Sequence, residues 1–416
     1  MTNINKTAKK MIENIIADNM PQKAVINALA AREFIGRKTY LIAIGKAAWT
    51  MAKTASDYLG DKIEKGIVIT KYDHAMGDIS RVEIFEAGHP VLDENTVAAT
   101  QAVLSLVKNL GRDDEVLFLV SGGGSALFEA PQDGISLEDL ATLTNAMLAS
   151  GADIVEINMI RKRLSKVKAG RFAEIISPAK ATQIVLSDVL GDRLDTIASG
   201  PATADTSTTE EVLAIVDKYG LELTPLQAEL LRYETPKTVN NVETVITGSV
   251  SSLCEAAAVS AKALGLTPYI LTTSLNCQAA DAGKFLAATA RDTQRGATHF
   301  VKPCAIIAGG ETVVKVTGNG LGGRNQELAL TAAIGIAGLD DTLIFSIGSD
   351  GTDGPTDAAG GMVDGYTMAK LAAQGINIEK ILANNDSYNG LKAADGLIIT
   401  GPTGTNVNDV AVVLCM

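Results

Sequence analysis

EVLFLVSGGGSALF, residues 115–128, is the stretch that decides the fold. Residues 116–120 are an unbroken apolar run of strand length. A strand apolar on both sides is one covered on both sides, as in a parallel sheet between two layers of helices. Gly122, Gly123 and Gly124 follow, and the next residues open a helix. Consecutive glycines are costly in chain entropy. Successive N–H groups in such a turn form an anion-binding nest, and Ser121 and Ser125 add hydroxyl donors at its edges. The competing reading is a tight strand-to-helix turn that holds nothing.

Working outward, the same alternation recurs. TYLIAIG (39–45), GIVITK (66–71), VEIFEAG (82–88) and TQIVLSDV (182–189) read as strands, and residues 93–110 carry helical periodicity. This predicts an α/β protein whose N-terminal domain is Rossmann-like and doubly wound. The polar segment YETPKTVNN (233–241), with Pro236, marks a break, so the expected domains are residues 1–236 and 237–416. VETVITG (242–248) is then expected to begin the second domain. Helices over 250–264 and 279–295 follow. CAIIAGGE (304–311) and TVVKVTG (312–318) read as a hairpin, and strands at 341–350, 396–400 and 407–415 complete a smaller C-terminal α/β domain with a mixed sheet.

Composition narrows the function. The 416 residues are 46% hydrophobic and 20% charged, an ordinary globular balance in a chain long enough for two domains. A net charge of −12 argues against nucleic acid and anionic membrane surfaces as partners, but not against a small anion held in a local basic pocket. Cys254, Cys277, Cys304 and Cys415 are scattered, as are His74, His89 and His299, so neither set suggests a metal site. The N-terminus is polar with a helical pattern, and no run of about 18 apolar residues occurs. A cytoplasmic, membrane-free protein is expected, and a homo-oligomer is compatible with the sequence.

Further motifs carry candidate chemistry. Lys46, in IGKAAWTMA (44–52), sits where a strand becomes a helix, beside free helix amides. It suits a phosphate or carboxylate, or is simply a surface lysine. RKRLSKVKAGR (161–171) reads equally as a solvated face and as a basic wall over an anionic cleft. Asp188 ends an apolar strand, where it could hold Mg²⁺, take a proton from a hydroxyl, or cap a turn. GGETVVKVTGNGLGGRNQELAL (309–330) contains Gly318, Gly320 and Gly323 as a literal dinucleotide fingerprint. Its preceding segment alternates in polarity, unlike the buried first strand such a site needs. Arg324 follows these glycines at a helix start, a place to grip a phosphate. Glu311, Gly322, Gly323 and Asn325 are the substrate- or phosphate-binding candidates of this stretch. SIGSDGTDGPTDAAGG (346–361) brings Asp350, Asp353 and Asp357 together among glycines. Asp350 and Asp353 are candidate Mg²⁺ ligands, and Asp–Gly turns are the other reading. ITGPTGTNVND (399–409) offers donors for a nucleotide phosphate, or a turn. No Walker A motif occurs.

GKAA, SGGGSAL, SDVLGDRLDTIASGP, GGETVVKVTGNGLGGRNQE, SIGSDGTDGPTDAAG and TGPTGTNVND follow one another between Gly45 and Asp409. In that order they resemble glycerate kinases of the MOFRL family. One departure is Ala169, where many relatives carry glycine. The resemblance implies phosphorylation of D-glycerate by ATP, usually giving 2-phosphoglycerate, in an active site between two domains. Its key lysine maps to Lys46 and its key arginine to Arg324, and Asp188 joins them as a candidate catalytic group. Some members are labelled hydroxypyruvate reductases, so an NAD(P)H-dependent reductase is the alternative activity. A non-catalytic sugar-phosphate binder is a third reading. It explains the glycine nests but not the loop aspartates.

Overall fold

The computed structural model describes residues 3–34, 38–189 and 191–416. The chain divides into two compact units, Ala24–Thr247 and the residues up to Lys23 together with Gly248–Met416.

The first unit is built on β1 (Lys38–Ile44), β2 (Ile63–Lys71), β3 (Val82–Ala87), β4 (Asp114–Val120), β5 (Lys180–Leu186) and β6 (Val242–Gly248), in the order β3-β2-β1-β4-β5-β6. The first five strands are parallel. Consecutive residues of β1 enter opposite cores. Leu41 and Ala43 pack with Met51, Ala52 and Ala55 of the helix Ala48–Leu59. Ile42 and Ile44 pack with Ala99 and Val103 of the helix Glu94–Val107 and with Phe172 of the helix Arg171–Ile176. Burial on both faces is why these strands lack a polar side. Strand order reverses between β1 and β4, and that reversal opens a crevice at the strands' carboxyl ends where doubly wound sheets bind ligands.

VETVITG does not begin the second unit. It is β6, the edge strand beside β5. The Ala181 amide donates to the Asn241 carbonyl at 2.8 Å, and the Thr244 hydroxyl reaches the Gln183 side chain at 3.1 Å. Its exposed and half-buried residues are those of an edge strand. The polar segment 233–241 therefore precedes the last strand of the first sheet.

The second unit holds β7 (Thr267–Leu275), β8 (Cys304–Gly310), β9 (Thr342–Gly348), β10 (Gly360–Asp364), β11 (Leu397–Ile398) and β12 (Asp409–Cys415), ordered β11-β10-β9-β12-β8-β7. β7 and β8 are parallel and the other pairs antiparallel, giving the expected mixed sheet. The expected 304–318 hairpin is absent among the described residues: after Gly310 the chain leaves the sheet, and Val313 forms only an isolated bridge to Gln278. The helix Arg324–Gly335 is buried from Asn325 to Ala333, so it is enclosed on all sides there, polar first turn included. Its Leu328 carbonyl would lie 2.4 Å from a Cβ on Gly283, so glycine lets the helix Ala279–Gln294 approach closely. The N-terminal helix Asn3–Asp18 buries Ile4, Ala8, Met11, Ile12 and Ile15, and Asn14 donates to Ser260 of the helix Val250–Ala263 at 3.0 Å. No described helix is long and apolar enough to cross a membrane.

Candidate active site

In the first unit the candidate residues collect at the β1–β4 reversal. Gly45 has φ +112°, and a Cβ there would lie 2.3 Å from the Ser121 hydroxyl and 2.4 Å from its carbonyl oxygen, so this turn accepts only glycine. The Lys46 amide donates to the Gly122 carbonyl at 2.9 Å, and the Ser121 amide donates to the Ile44 carbonyl at 3.0 Å. The Ser121 hydroxyl accepts from the Ala47 amide at 3.0 Å and donates to the Ile44 carbonyl. It is buried and stitches the two turns together, rather than serving as a free donor. The Gly122 and Gly123 amides donate to no partner among the described residues. Gly123 has φ +88° and leads into the short helix Gly124–Leu127.

Lys46 is half-buried, and its ammonium has no ion pair or hydrogen bond among the described residues. His89, which the sequence reading passed over, is beside it: a Cβ on Gly123 would lie 2.9 Å from the imidazole Nε2 and 3.4 Å from the Lys46 Cγ. Ser125 exchanges a hydrogen bond with Ser199 at 3.0 Å. Ala198, Ser199 and Gly200 are consecutively left-handed at φ +51°, +60° and +63°. Ala198 crowds Gly124 closely enough that a Cβ there would sit 2.8 Å away. Ala169 is also left-handed, at φ +56°, a conformation that favours glycine, and its amide is held by the Ser199 carbonyl at 3.0 Å. Such strained residues persist only where their surroundings over-determine them. Asp188 is half-buried just past β5, on the same carboxyl edge of the sheet, and is engaged in an interaction there.

The basic run 161–171 is neither a solvated face nor a wall of free cations. Lys162 pairs with Asp205 at 3.0 Å, and Arg163, fully buried, bonds Ser207 at 3.0 Å and Glu234 at 3.4 Å. Lys168, also fully buried, donates to the carbonyls of Ser125 and Phe128 at 2.8 and 3.0 Å and pairs with Glu129 at 3.2 Å. Burial pulls its pKa down to about 8 against the opposing pull of Glu129. Lys168 thus ties the short helix after the glycine turn to the protein behind it.

In the second unit, Asp409 begins β12 with Gly310 of β8 and Gly348 of β9 as its register partners. Arg324 meets it fork to fork, Nε to Oδ2 at 2.6 Å and Nη2 to Oδ1 at 3.0 Å, and reaches Glu311 through Nη1 at 2.7 Å. Burial pushes Asp409 up to about 6, while the guanidinium draws it back. Burial also works against the charge on Arg324, but Asp409 and Glu311 hold it above its ordinary value. The bidentate geometry is that of an ionised pair at neutral pH. Asn325 is buried and accepts from Ser346 at 2.6 Å.

The two candidate Mg²⁺ ligands, Asp353 and Asp350, both accept backbone amides. Asp353 is buried and accepts the amides of Asn325 and Gln326 at 3.2 and 2.8 Å, so it caps the helix Arg324–Gly335. Burial raises its pKa. Asp350 accepts the Thr352 amide at 3.0 Å, in an Asp turn. No group of three or more His, Cys, Asp or Glu among the described residues is arranged to hold a metal. The fingerprint glycines also serve packing. Cβ atoms on Gly318 and Gly320 would lie 2.4 Å from Asn384 and Asp386, one on Gly322 would lie 2.2 Å from the Ser387 hydroxyl, and one on Gly323 would lie 2.3 Å from Asp353.

Residues 7–232 match a family model described as a domain of unknown function (DUF4147), and residues 304–409 match the MOFRL family. A D-glycerate 2-kinase of Thermotoga maritima is 52% identical over 409 residues, 98% of each chain. A glycerate 2-kinase of Pyrococcus horikoshii is 42% identical over 434 residues, covering 99% of this chain and 97% of its own. The crystal structure of a glycerate kinase from Thermotoga maritima superposes with a TM-score of 0.97 at 52% identity over 99% of both chains. With these matches running through both units, the chain belongs to the glycerate kinase family that carries the MOFRL domain.

Proposed function

We propose that this protein transfers the γ-phosphoryl group of ATP to the 2-hydroxyl of D-glycerate. The observation that carries this reading is the unpaired Lys46 ammonium at the sheet's reversal point, beside the unpartnered Gly122 and Gly123 amides. Phosphoryl transfer asks for positioning and for positive charge against the transferring oxygens, with little covalent chemistry from the protein. A cation already paired with a carboxylate would have to give up that partner, and among the described residues Lys46 has none to give up. Charge density developing on the phosphoryl oxygens is met without reorganisation. The relatives named above supply the substrate class.

Arg324 has a different part. Two carboxylates engage its guanidinium, so it holds the start of its helix and the ends of β8 and β12 in one fixed arrangement. An anionic ligand would compete with Glu311, the more exposed partner, and leave the Asp409 fork intact. Magnesium enters as the salt of the nucleotide, and no step is assigned to protein-bound metal. The reductase alternative needs a dinucleotide against the 318–323 glycines, and three of these already pack against residues 384–387.

The test is ADP release from MgATP with D-glycerate, run beside NADH oxidation with hydroxypyruvate, and phosphorus NMR of the product. Glycerate-dependent ADP with a secondary phosphate ester is expected. NADH oxidation without ADP release overturns the proposal.

A further inference from the structure

His89 follows β3, whereas Lys46 follows β1 and Gly123 follows β4, yet all three meet at one point. The imidazole is half-buried, and neither ring nitrogen has a hydrogen-bond partner among the described residues. The ring is thus left without a protein partner at the carboxyl edge of the sheet, where doubly wound sheets bind ligands. The charged groups that act on the ring are Lys46, Lys71 at the end of β2, and His74 beyond it. The nearby carboxylates are occupied elsewhere. Glu86 accepts the amides of His74 and Ala75 at 3.0 and 2.9 Å, and Asp93 accepts from Tyr72 at 2.6 Å and from the Thr96 amide. Among the described residues the groups acting on the imidazole are thus all basic, which suits the approach of anionic reactants.

We infer that His89 is a catalytic residue of the proposed reaction: its imidazole takes the proton of the acceptor hydroxyl as that oxygen attacks phosphorus. One O–P bond forms to the γ-phosphorus, and the bond from that phosphorus to the bridging oxygen breaks. ADP leaves with the electron pair, and the proton passes to a ring nitrogen and then to water. Burial, then Lys46, Lys71 and His74, hold the free imidazole below the ordinary histidine range, so it is neutral and able to accept at pH 7. Anionic reactants compensate those cations, which makes the ring a stronger base once they are bound.

This inference rests on the kinase reading. The experiment compares wild type with His89→Gln and His89→Ala, each checked for native circular dichroism. Both variants should lose on the order of 100-fold in kcat or more while KM for ATP holds. The wild-type activity should fall on the acid side, with the limb in kcat at higher pH than the limb in kcat/KM, and His89→Gln should lack both limbs. Added imidazole should restore part of the turnover of His89→Ala. Wild-type kcat in either folded variant overturns the assignment. So does a lowered kcat with the acid limbs unchanged and no rescue by imidazole. Wild-type protein that releases no ADP with glycerate refutes the kinase reading instead.

Discussion

Replacing Arg324 with methionine keeps an aliphatic stem and removes the guanidinium, leaving Asp409 a carboxylate only 9% exposed without its bidentate partner. The folded-state pKa of Asp409 stands at about 6 against an ordinary 3.8. A carboxyl raised on folding contributes stability that is full below the unfolded value and lost as pH rises through the folded one. Without Arg324 the folded value climbs further. Above pH 6 the variant keeps its proton where the wild type has lost it. Its deficit then grows by one proton's worth, about 1.4 kcal/mol per pH unit. At pH 5 both carboxyls are protonated and this part of the deficit vanishes. At pH 8 it reaches about 3 kcal/mol, the lower end of what breaking a buried ion pair costs. Glu311, more exposed, adds little. Urea denaturation of both proteins at pH 5, 6.5 and 8 measures the difference, and adding Asp409→Asn to the variant should flatten it. A deficit equal at pH 5 and pH 8 refutes the electrostatic account of this pair.

Lys46→Ala should lower turnover by about 100-fold or more with an unchanged melting temperature, because charge is removed at the phosphoryl group and no structural bond is lost; near-normal kcat in a folded variant removes Lys46 from the chemistry. Gly45→Ala should cost about 2 kcal/mol or more, since its φ of +112° and the 2.3 Å approach to Ser121 both forbid a Cβ, and thermal unfolding within a degree of wild type would contradict this. Lys168→Met should destabilise by about 3–5 kcal/mol by stranding the buried Glu129; a loss below about 1 kcal/mol in urea titration would contradict a buried ion pair here. Asp353→Ala should cost about 1–2 kcal/mol through the lost helix cap, and its magnesium requirement should match wild type. A changed requirement would restore the metal-ligand reading.

Much of the first sheet was legible because its strands are buried on both faces, which writes itself as unbroken apolar runs such as 116–120. The glycine turns were legible too, though not what fills them. Gly318 to Gly323 match a ligand-binding pattern, yet Gly318, Gly320 and Gly322 are packed against residues 384–387, which lie far along the chain, and Gly323 against Asp353. Asp353 stands at a metal-ligand spacing in its local sequence, and that sequence does not show that it caps amides 28 and 27 positions away. The charges of 161–171 read equally as a solvated face and as a basic wall because a sequence shows charge and not the partners that bury it. His89 had no motif around it; it joins Lys46 only because β3 and β1 lie on either side of β2 in one parallel sheet. VETVITG was placed in the wrong half because an edge strand and a domain boundary share the same half-polar composition.

The second unit is assembled from both ends of the chain, and this has a consequence for biosynthesis. Asn14 and Ser260, which hydrogen-bond in that unit, are 246 positions apart. At ribosomal speeds of about 5–20 residues per second, the first helix waits roughly 12 to 50 s for its partner. Through that interval Ile4, Met11, Ile12 and Ile15 have no native core to enter, while Ala24–Thr247 emerges with its own sheet complete. The nascent chain thus carries an uncovered apolar helix tethered to a unit that can already fold, and that helix is where a holdase chaperone would find purchase.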